Sequence, residues 1–465
     1  MKKSPSKQAT SSTSTSGFAW QRSQFEQLVE DALACAKSMG ASDAGAEVSE
    51  GVGLSVSVRH GELENVERNR DKSLGISVYL GQRRGNASTS DFSSKAIAET
   101  VRAAYDIARF TAEDPAAGLP DAADLALDAR QHAELDLFHP WAIDAAQAAQ
   151  LAMQCEAAAL TVDPRITNSE GAGVSAQQSH FFMGNSRGFR GGYASSRHSL
   201  SVAPIAGVGE DMQRDSWYTS MRDARDLANA AAVGRYAAER TLARLHGRRV
   251  RTAKVPVLFE APAAAGILGA YVQATSGGAL YRKATFLTDS LGKTVLPKHV
   301  DILEDPFERK GKGSSPFDDE GVRTQARTVV SGGVVQGYFL SSYSARKLNM
   351  RTTGHAGGSH NLVMKSRNTQ HGDDLEAMLR KMGRGLLVTE LMGQGVNYVT
   401  GDYSRGASGY WVENGCIVHP VEEVTIAGNL KDMFRNIVAI GADEYNTGAK
   451  TVGSVLIEGL KLAGS

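Results

Sequence analysis

Residues 409–429 read GYWVENGCIVHPVEEVTIAGN, and this stretch indicates the kind of fold. Two runs in which apolar and polar side chains alternate flank Asn414-Gly415. Alternation with period two is typical of a half-buried strand, and Asn-Gly is the dipeptide that best fits a tight two-residue hairpin turn. The stretch therefore predicts two antiparallel strands joined directly.

The same alternation recurs near the N-terminus, where Leu54, Val56 and Val58 precede a second predicted turn, HGE, and GQRRG forms a third. Helical spacing alternates with these strands, and we predict helices over residues 20–39, 94–110, 141–160 and 222–246. The fold class that follows is α+β, with two domains rich in antiparallel β-sheet and helices packed on the sheets.

The predicted division of the chain is a disordered tail (1–18), an N-terminal α+β domain (19–225) and a C-terminal β-rich domain (226–465). The tail is basic, then rich in Ser and Thr, with no apolar segment. The charged run GRRVRTAK (247–254) is also typical of a domain boundary.

Composition excludes several classes of partner. The 465 residues include 51 Lys and Arg against 51 Asp and Glu, so nothing supports a general nucleic-acid or membrane-surface binder. No apolar run approaches the roughly 20 residues that span a bilayer. Three cysteines far apart in sequence suit a reducing compartment, and we expect a cytoplasmic protein without membrane or nucleic-acid partners.

A predicted strand (254–260) leads into a predicted helix within GILGAYVQATSGGALYRK (266–283), a common place for an active site, yet that stretch contains no His, Glu, Asp or Cys. The chain also lacks the two standard glycine-rich nucleotide loops. Its chemistry must therefore lie elsewhere or be missing.

Two weak motifs remain. His355 and His360 lie in a glycine-rich loop, where they either bind a metal ion with a third ligand or serve as polar loop residues. Ser344 and Lys347 match the SxxK pattern of some acyl-transfer enzymes, although a helix start followed by a surface lysine explains the pattern equally simply.

Residues 393–415 combine five glycines between Gly393 and Gly409 with interleaved aromatic side chains. This segment is either a long loop before the hairpin or a surface that contacts a peptide or a partner chain. The candidate contact residues are Tyr403, Ser404, Arg405, Gly406 and Tyr410, with the loop of His355 and His360 second.

Long stretches of the chain resemble the TldD/PmbA family (peptidase U62-like), and within it the PmbA (TldE) branch. The clearest are residues 53–93, GLSVSVRHGELENVERNRDKSLGISVYLGQRRGNASTSDFS, and residues 337–362, GYFLSSYSARKLNMRTTGHAGGSHNL. Residues 393–434 carry a third, and the likeness extends from about residue 22 to the C-terminus.

The resemblance implies a PmbA/TldE-type subunit that pairs with a TldD-type chain as a heterodimeric zinc metalloprotease. Such complexes cleave unstructured peptides, mature a peptide antibiotic and degrade an antitoxin. TldD-type chains carry HExxxH on the helix that corresponds to 266–283, whereas this chain has Ala270, Tyr271 and Thr275 (or Gln273) at about those positions. The region of the third ligand, 436–444, has no cysteine.

The resemblance thus implies a chain without catalytic or metal-binding residues, while zinc is expected in the TldD-type partner. The chain would shape a chamber for the peptide. Two alternatives stay open: a stand-alone regulatory or binding protein, as the family label "modulator of DNA gyrase" suggests, or an independent peptidase that uses Ser344, His355 or His360.

Overall fold

The computed structural model describes residues 17–128 and 135–464. The α+β prediction is confirmed, because strands in mainly antiparallel sheets alternate with packed helices. Within the described residues the helices are α1 Arg22–Ser38, α2 Ser94–Phe110, α3 Ala145–Leu160, α4 Ala230–Ala243, α5 Ala261–Ala274, α6 Gly277–Tyr281, α7 Ser342–Lys347, α8 Leu375–Met382 and α9 Leu430–Arg435.

One sheet, called here the N-terminal sheet, holds the strands of the first half in the order β3-β2-β1-β4-β6-β7, with β5 beside β4 and β8 beside β6. These strands are β1 Asp43–Arg59, β2 Glu62–Leu80, β3 Arg83–Thr89, β4 Ile166–Asn185, β5 Arg190–Gly191, β6 Ala194–Ala206, β7 Gln213–Arg214 and β8 Trp217–Met221. The turn between β1 and β2 is the predicted one, since His60 and Gly61 have φ of 52° and 73°.

A second sheet has the order β12-β11-β10-β13-β19-β18. Its members are β10 Val300–Asp305, β11 Arg327–Ser331, β12 Val334–Val335, β13 Asn361–Ser366, β18 Tyr445–Thr447 and β19 Lys450–Val452. The pair β13 and β19 is parallel, while the other printed pairs in this sheet are antiparallel.

The third sheet closes on itself, and we call it the C-terminal barrel. The order is β16-β15-β14-β9-β20-β17, and β16 also pairs with β20, so that β9, β14, β15, β16 and β20 form a ring. The strands are β9 Ala253–Phe259, β14 Gly385–Met392, β15 Asp402–Glu413, β16 Cys416–Asn429, β17 Ile437–Ile440 and β20 Val455–Ala463. Asn414 and Gly415 form the predicted hairpin turn, with φ of 52° and 73°.

All four long N-terminal helices lie on one face of the N-terminal sheet. Helices α1 and α2 pack on the strand residues Val48 and Ile76, and helices α3 and α4 pack farther along on Val56 and Val174. None of these four helices covers the opposite face, which lies towards the C-terminal half of the chain.

The structure corrects three boundaries. Helix α4 begins at Ala230 with the Asn229 side chain as its cap, not at residue 222. Because α4 packs into the N-terminal core, the segment 230–243 belongs by packing to the N-terminal domain rather than to the domain predicted to start at 226. Residues 1–16 of the predicted tail lie outside the described residues, but Phe18 is ordered, with its ring stacked on those of Phe138 and His180.

Candidate functional site

Helix α5 occupies the position implied for a zinc helix. It follows β9 directly, its cap position is Glu260, and Pro262 stands in its first turn. Ala270, Tyr271 and Thr275 are all buried. The helix is therefore held by packing on both sides rather than exposed to a substrate at these positions.

These three positions do not fit a zinc ion. Zinc takes imidazole nitrogen, thiolate sulfur or carboxylate oxygen, and alanine offers no donor atom. The Thr275 hydroxyl donates to the carbonyl of Tyr271 at 2.7 Å. The Tyr271 hydroxyl is buried without a hydrogen-bond partner among the described residues, and burial raises the pKa of this phenol.

The SxxK pair is not arranged as a nucleophile and its base. Ser344 is buried in α7, where its hydroxyl forms a capping box with Ser341. The Lys347 amine instead donates to Asp114 at 2.7 Å. Each side chain has a structural partner of its own, and this geometry gives the independent serine peptidase no support.

His355 and His360 meet a third polar residue that the sequence analysis missed. Both imidazoles lie with the Glu304 carboxylate in a buried group whose potential ligand atoms fall within 4.8 Å of one another. His355 Nε2 is 2.9 Å from Glu304 Oε2, and the backbone N–H of His360 donates to Glu304 Oε1 at 2.8 Å. Glu304 lies in the run DILEDP, far from both histidines in sequence.

An arginine supplies the positive charge of this group. Arg327 Nε donates to Glu304 at 2.7 Å, and Arg327 Nη2 lies 3.2 Å from His355 Nε2. Burial opposes ionisation of Glu304, but its hydrogen bond to His355 and the charges of His355 and Arg327 lower its pKa to about 2. A second cation here would be repelled by the guanidinium, so we interpret the group as a buried ion-pair network.

The predicted contact residues of 393–415 lie in the wall of the C-terminal barrel. Residues 402–413 form strand β15 between β14 and β16, so most of the predicted loop is a strand. Tyr403 is only 4% exposed, whereas Ser404 is exposed and Arg405 and Tyr410 are half-buried. Gly406 lies between Met392 and Thr425 in the barrel. Their role as contact residues stays a prediction.

The free face of the N-terminal sheet is the larger candidate surface. Many of its side chains are small or polar, and in register they form rows across the sheet, such as Glu67, Ser55, Ser175 and Ser199. We call this surface the serine-rich face, and its serines are Ser49, Ser55, Ser57, Ser73, Ser175, Ser179, Ser195, Ser199 and Ser201. In the sequence, serines at every second position, as in LSVSV (54–58), indicate this polar face of the sheet.

A cleft of about 730 Å³ lies where this face meets the C-terminal half of the chain. The sheet contributes Glu47, Ser49, Ser73, Gly75, Ser77 and Met183. The facing wall contributes Asp114, Leu119, Asp319, Glu320 and Tyr343. An extended chain could lie across the strands here, with its polar backbone beside serine hydroxyls.

Two carboxylates face the cleft without hydrogen-bond partners in the described part of the chain. They are Glu47 of β1 and Asp319, which approaches from the C-terminal half. Burial raises the pKa of both, and the Asp319 charge raises the pKa of Glu47 further. The predicted histidine loop lies behind Asp319, because a Cβ at Gly357 would come within 2.4 Å of the Asp319 carboxylate. Glu47 and Asp319 thus make this end of the cleft acidic.

Comparison with known proteins places the chain in a family. Models of the PmbA/TldA metallopeptidase match in three parts: domain 1 over residues 45–108, the central domain over 138–245 and the C-terminal domain over 252–464. The match to the central domain ends, and the match to the C-terminal domain begins, close to the charged run 247–254. Together the three models cover most of the chain, which therefore belongs to the PmbA/TldD family of metallopeptidases.

Relatives in sequence support the same branch. The chain is 51% identical to Metalloprotease PmbA of Escherichia coli O157:H7, over 96% of this chain and 97% of the relative. It is 47% identical to the Metalloprotease PmbA homolog of Haemophilus influenzae, over 97% and 99% of the two chains. The family assignment made from sequence motifs is confirmed.

Solved structures share the fold. A putative modulator of DNA gyrase from Bacteroides thetaiotaomicron superposes with a TM-score of 0.88 at 26% identity, over 95% of this chain and 99% of that one. TldE from Thermococcus kodakarensis gives 0.80 at 17% identity, over 94% and 100%. No helix among the described residues is long and apolar enough to cross a bilayer.

Proposed function

We propose that this chain is the metal-free subunit of a two-chain zinc peptidase that cleaves unstructured peptides. The observation that carries the proposal is helix α5, which stands where a family member would hold zinc but buries Ala270, Tyr271 and Thr275 there instead. A TldD-type chain with HExxxH is the partner, and zinc bound in that partner supplies the activated water.

The contribution of this chain is binding and orientation of the peptide. The serine-rich face is wide and polar, and the cleft of about 730 Å³ at its end is closed on one side by the C-terminal half. An extended peptide can satisfy its backbone polar groups there, whereas a folded domain cannot enter the cleft. Selection of unfolded substrates follows from the shape of the site.

The finer assignments rest on the family. We infer that maturation of a peptide antibiotic and degradation of an antitoxin are the kinds of reaction served, and that they take place in the cytoplasm, where the free cysteines Cys35, Cys155 and Cys416 would stay reduced. Balanced charge favours this proposal over direct DNA binding, and a salt-dependent shift of DNA by the isolated chain would revive that alternative.

The test is hydrolysis of an unstructured peptide by this chain alone, by the HExxxH chain alone and by an equimolar mixture, each with and without chelator. We expect full activity only in the mixture, and we expect chelator to abolish it. Chelator-resistant activity of this chain alone would contradict the proposal. Full activity of the HExxxH chain alone would show that this subunit is dispensable and would contradict it equally.

A further inference from the structure

A small pocket opens from the side of the cleft and has an unusual lining. Its volume is about 220 Å³, and it is lined by three aromatic rings, Phe181, Tyr193 and Phe317, together with Met183. Three carboxylates, Glu47, Asp318 and Asp319, complete the lining. Glu47, Met183 and Asp319 also line the cleft, so the pocket and the cleft are continuous.

The three rings form an edge-to-face cluster. The Phe181 and Tyr193 centroids are 4.8 Å apart at an interplanar angle of 72°, and those of Tyr193 and Phe317 are 5.7 Å apart at 60°. Phe317 also packs on Phe189 in the core below. Such a cluster holds its rings in fixed orientations, and the face of an aromatic ring attracts a cation through its quadrupole.

One of the three carboxylates is hydrogen-bonded within the protein, and the other two are available to bind a ligand. Asp318 is buried, and its oxygens accept backbone N–H groups of Glu320, Val322 and Ala356, which holds the loop in place. The carboxylate oxygens of Glu47 and Asp319, in contrast, accept no hydrogen bond from the described residues, and both groups line the pocket. Aromatic rings beside available carboxylates are the surroundings that an ammonium group requires when it leaves water.

We propose that this pocket, which we call the aromatic–acid pocket, binds a primary ammonium group of a peptide lying in the cleft. The ammonium would be that of a lysine side chain or of the chain N-terminus, since both present the same chemistry. This inference rests on the proposed function, because it names a chemical feature of the peptide that the cleft selects. The rings exclude water around the ammonium, and Glu47 and Asp319 balance its charge.

The test measures binding by the isolated chain, so that it does not depend on hydrolysis. The probes are four versions of one short Gly- and Ser-rich peptide, in which a single lysine and the N-terminus are each either free or acetylated. Calorimetric titration should show binding of a version with a free ammonium at least about fivefold tighter than that of the doubly acetylated one. The two singly acetylated versions distinguish the lysine side chain from the N-terminus.

Substitutions of the lining residues test whether the preference for a free ammonium arises in this pocket. Phe181→Leu should remove the preference for the ammonium, whereas Phe181→Tyr should keep it because a ring remains. Phe181 is half-buried at the edge of the cluster around Phe317, and both variants keep an apolar side chain there. Glu47→Gln and Asp319→Asn should each reduce the preference to about twofold or less. The matched control is Glu67→Gln, an exposed acid on the same sheet face but outside the pocket.

Three results would overturn the inference. One is equal binding of the free and the doubly acetylated peptides. Another is an equal loss in Glu67→Gln and Glu47→Gln, which would indicate a general charge effect. The third is no peptide binding by the isolated chain at millimolar concentration. Hydrolysis by the two-chain mixture is measured separately, so a failure of peptide binding here can be distinguished from a failure of the proposed function.

Discussion

At the scale of single residues, one buried ion-pair network stands out. The ion-pair network of Glu304, Arg327 and His355 sits behind the cleft and holds the loop that carries His355 and His360. Removing one partner of a buried ion pair costs far more than the pair itself contributes, because the other charge remains buried. Loss of one partner should therefore lower the free energy of unfolding by an amount that depends on pH.

Glu304→Gln should lower the free energy of unfolding by about 3 kcal/mol near neutral pH. The folded-state pKa of Glu304 is depressed to about 2 from an ordinary 4.5. Its contribution is therefore present above about pH 4.5 and lost as the pH falls towards 2. Urea unfolding at several pH values should show the difference between wild type and variant narrowing across that window. A constant difference would contradict the assignment.

At the scale of elements, close approach of helix α2 to strand β3 fixes one edge of the N-terminal sheet. A Cβ at Gly85 would lie 2.0 Å from the backbone oxygen of Ala104 and 2.5 Å from the backbone nitrogen of Ala108. Backbone cannot move aside as a flexible side chain can, so the helix would have to shift away from the strand.

Gly85→Ala should destabilise the chain by about 2 kcal/mol through this overpacking. The matched control is Gly75→Ala in the neighbouring strand β2, where a Cβ meets nothing within 4 Å. Thermal unfolding should show a clear drop in Tm for the first variant and little change for the second. Equal effects in the two variants would mean that strand propensity, not the contact with α2, sets the cost.

On the scale of the whole molecule, a buried network joins the two halves of the chain. Arg240 of α4 donates to Asp215 at 3.2 Å and to Glu260, at the start of α5, at 2.9 Å. Arg244 of the same helix reaches Glu390 of β14 at 2.6 Å. Because Arg240 is only 12% exposed, water cannot replace its partners without disturbing the packing.

Arg240→Met should lower the stability of the chain by about 3 kcal/mol and weaken the coupling between its halves. Glu260 would stay buried without its arginine, and Asp215 would keep only Arg244, at 3.7 Å. Calorimetry should show a lower and broader transition. Arg165→Met is the control, since the pair of Arg165 with Asp163 is largely exposed and should change stability by less than about 1 kcal/mol. A sharp transition at the wild-type Tm in Arg240→Met would exclude this coupling.

The cleft can be tested by filling it. Ser73 is exposed on the serine-rich face, where it lines the cleft beside Ser49 of the neighbouring strand. Ser73→Trp should therefore block the path of an extended peptide. We expect peptide hydrolysis by the two-chain mixture to fall at least about tenfold with little change in Tm. Ser38→Trp, at the exposed end of α1, is the control. Unchanged hydrolysis in Ser73→Trp would place the peptide elsewhere.

Local pattern was enough to predict much of this fold. The hairpin turns at His60-Gly61 and Asn414-Gly415, the helix Ser94–Phe110 and the α+β class follow from neighbours in sequence, because turn conformation and side-chain periodicity are local properties. Motif resemblance also identified the family. These features need no knowledge of which strands pair at long range.

Local sequence patterns do not predict contacts between residues that are far apart in the chain. Residues 402–408 are typical of a loop because glycines interrupt the alternation, yet pairing with two neighbouring strands of the barrel makes them part of a strand, β15. Glu304 joins two histidines more than fifty residues away, and Phe181, Tyr193 and Phe317 meet from separate halves of the chain. Strand register and domain packing bring such groups together, and both depend on burial summed over the whole molecule.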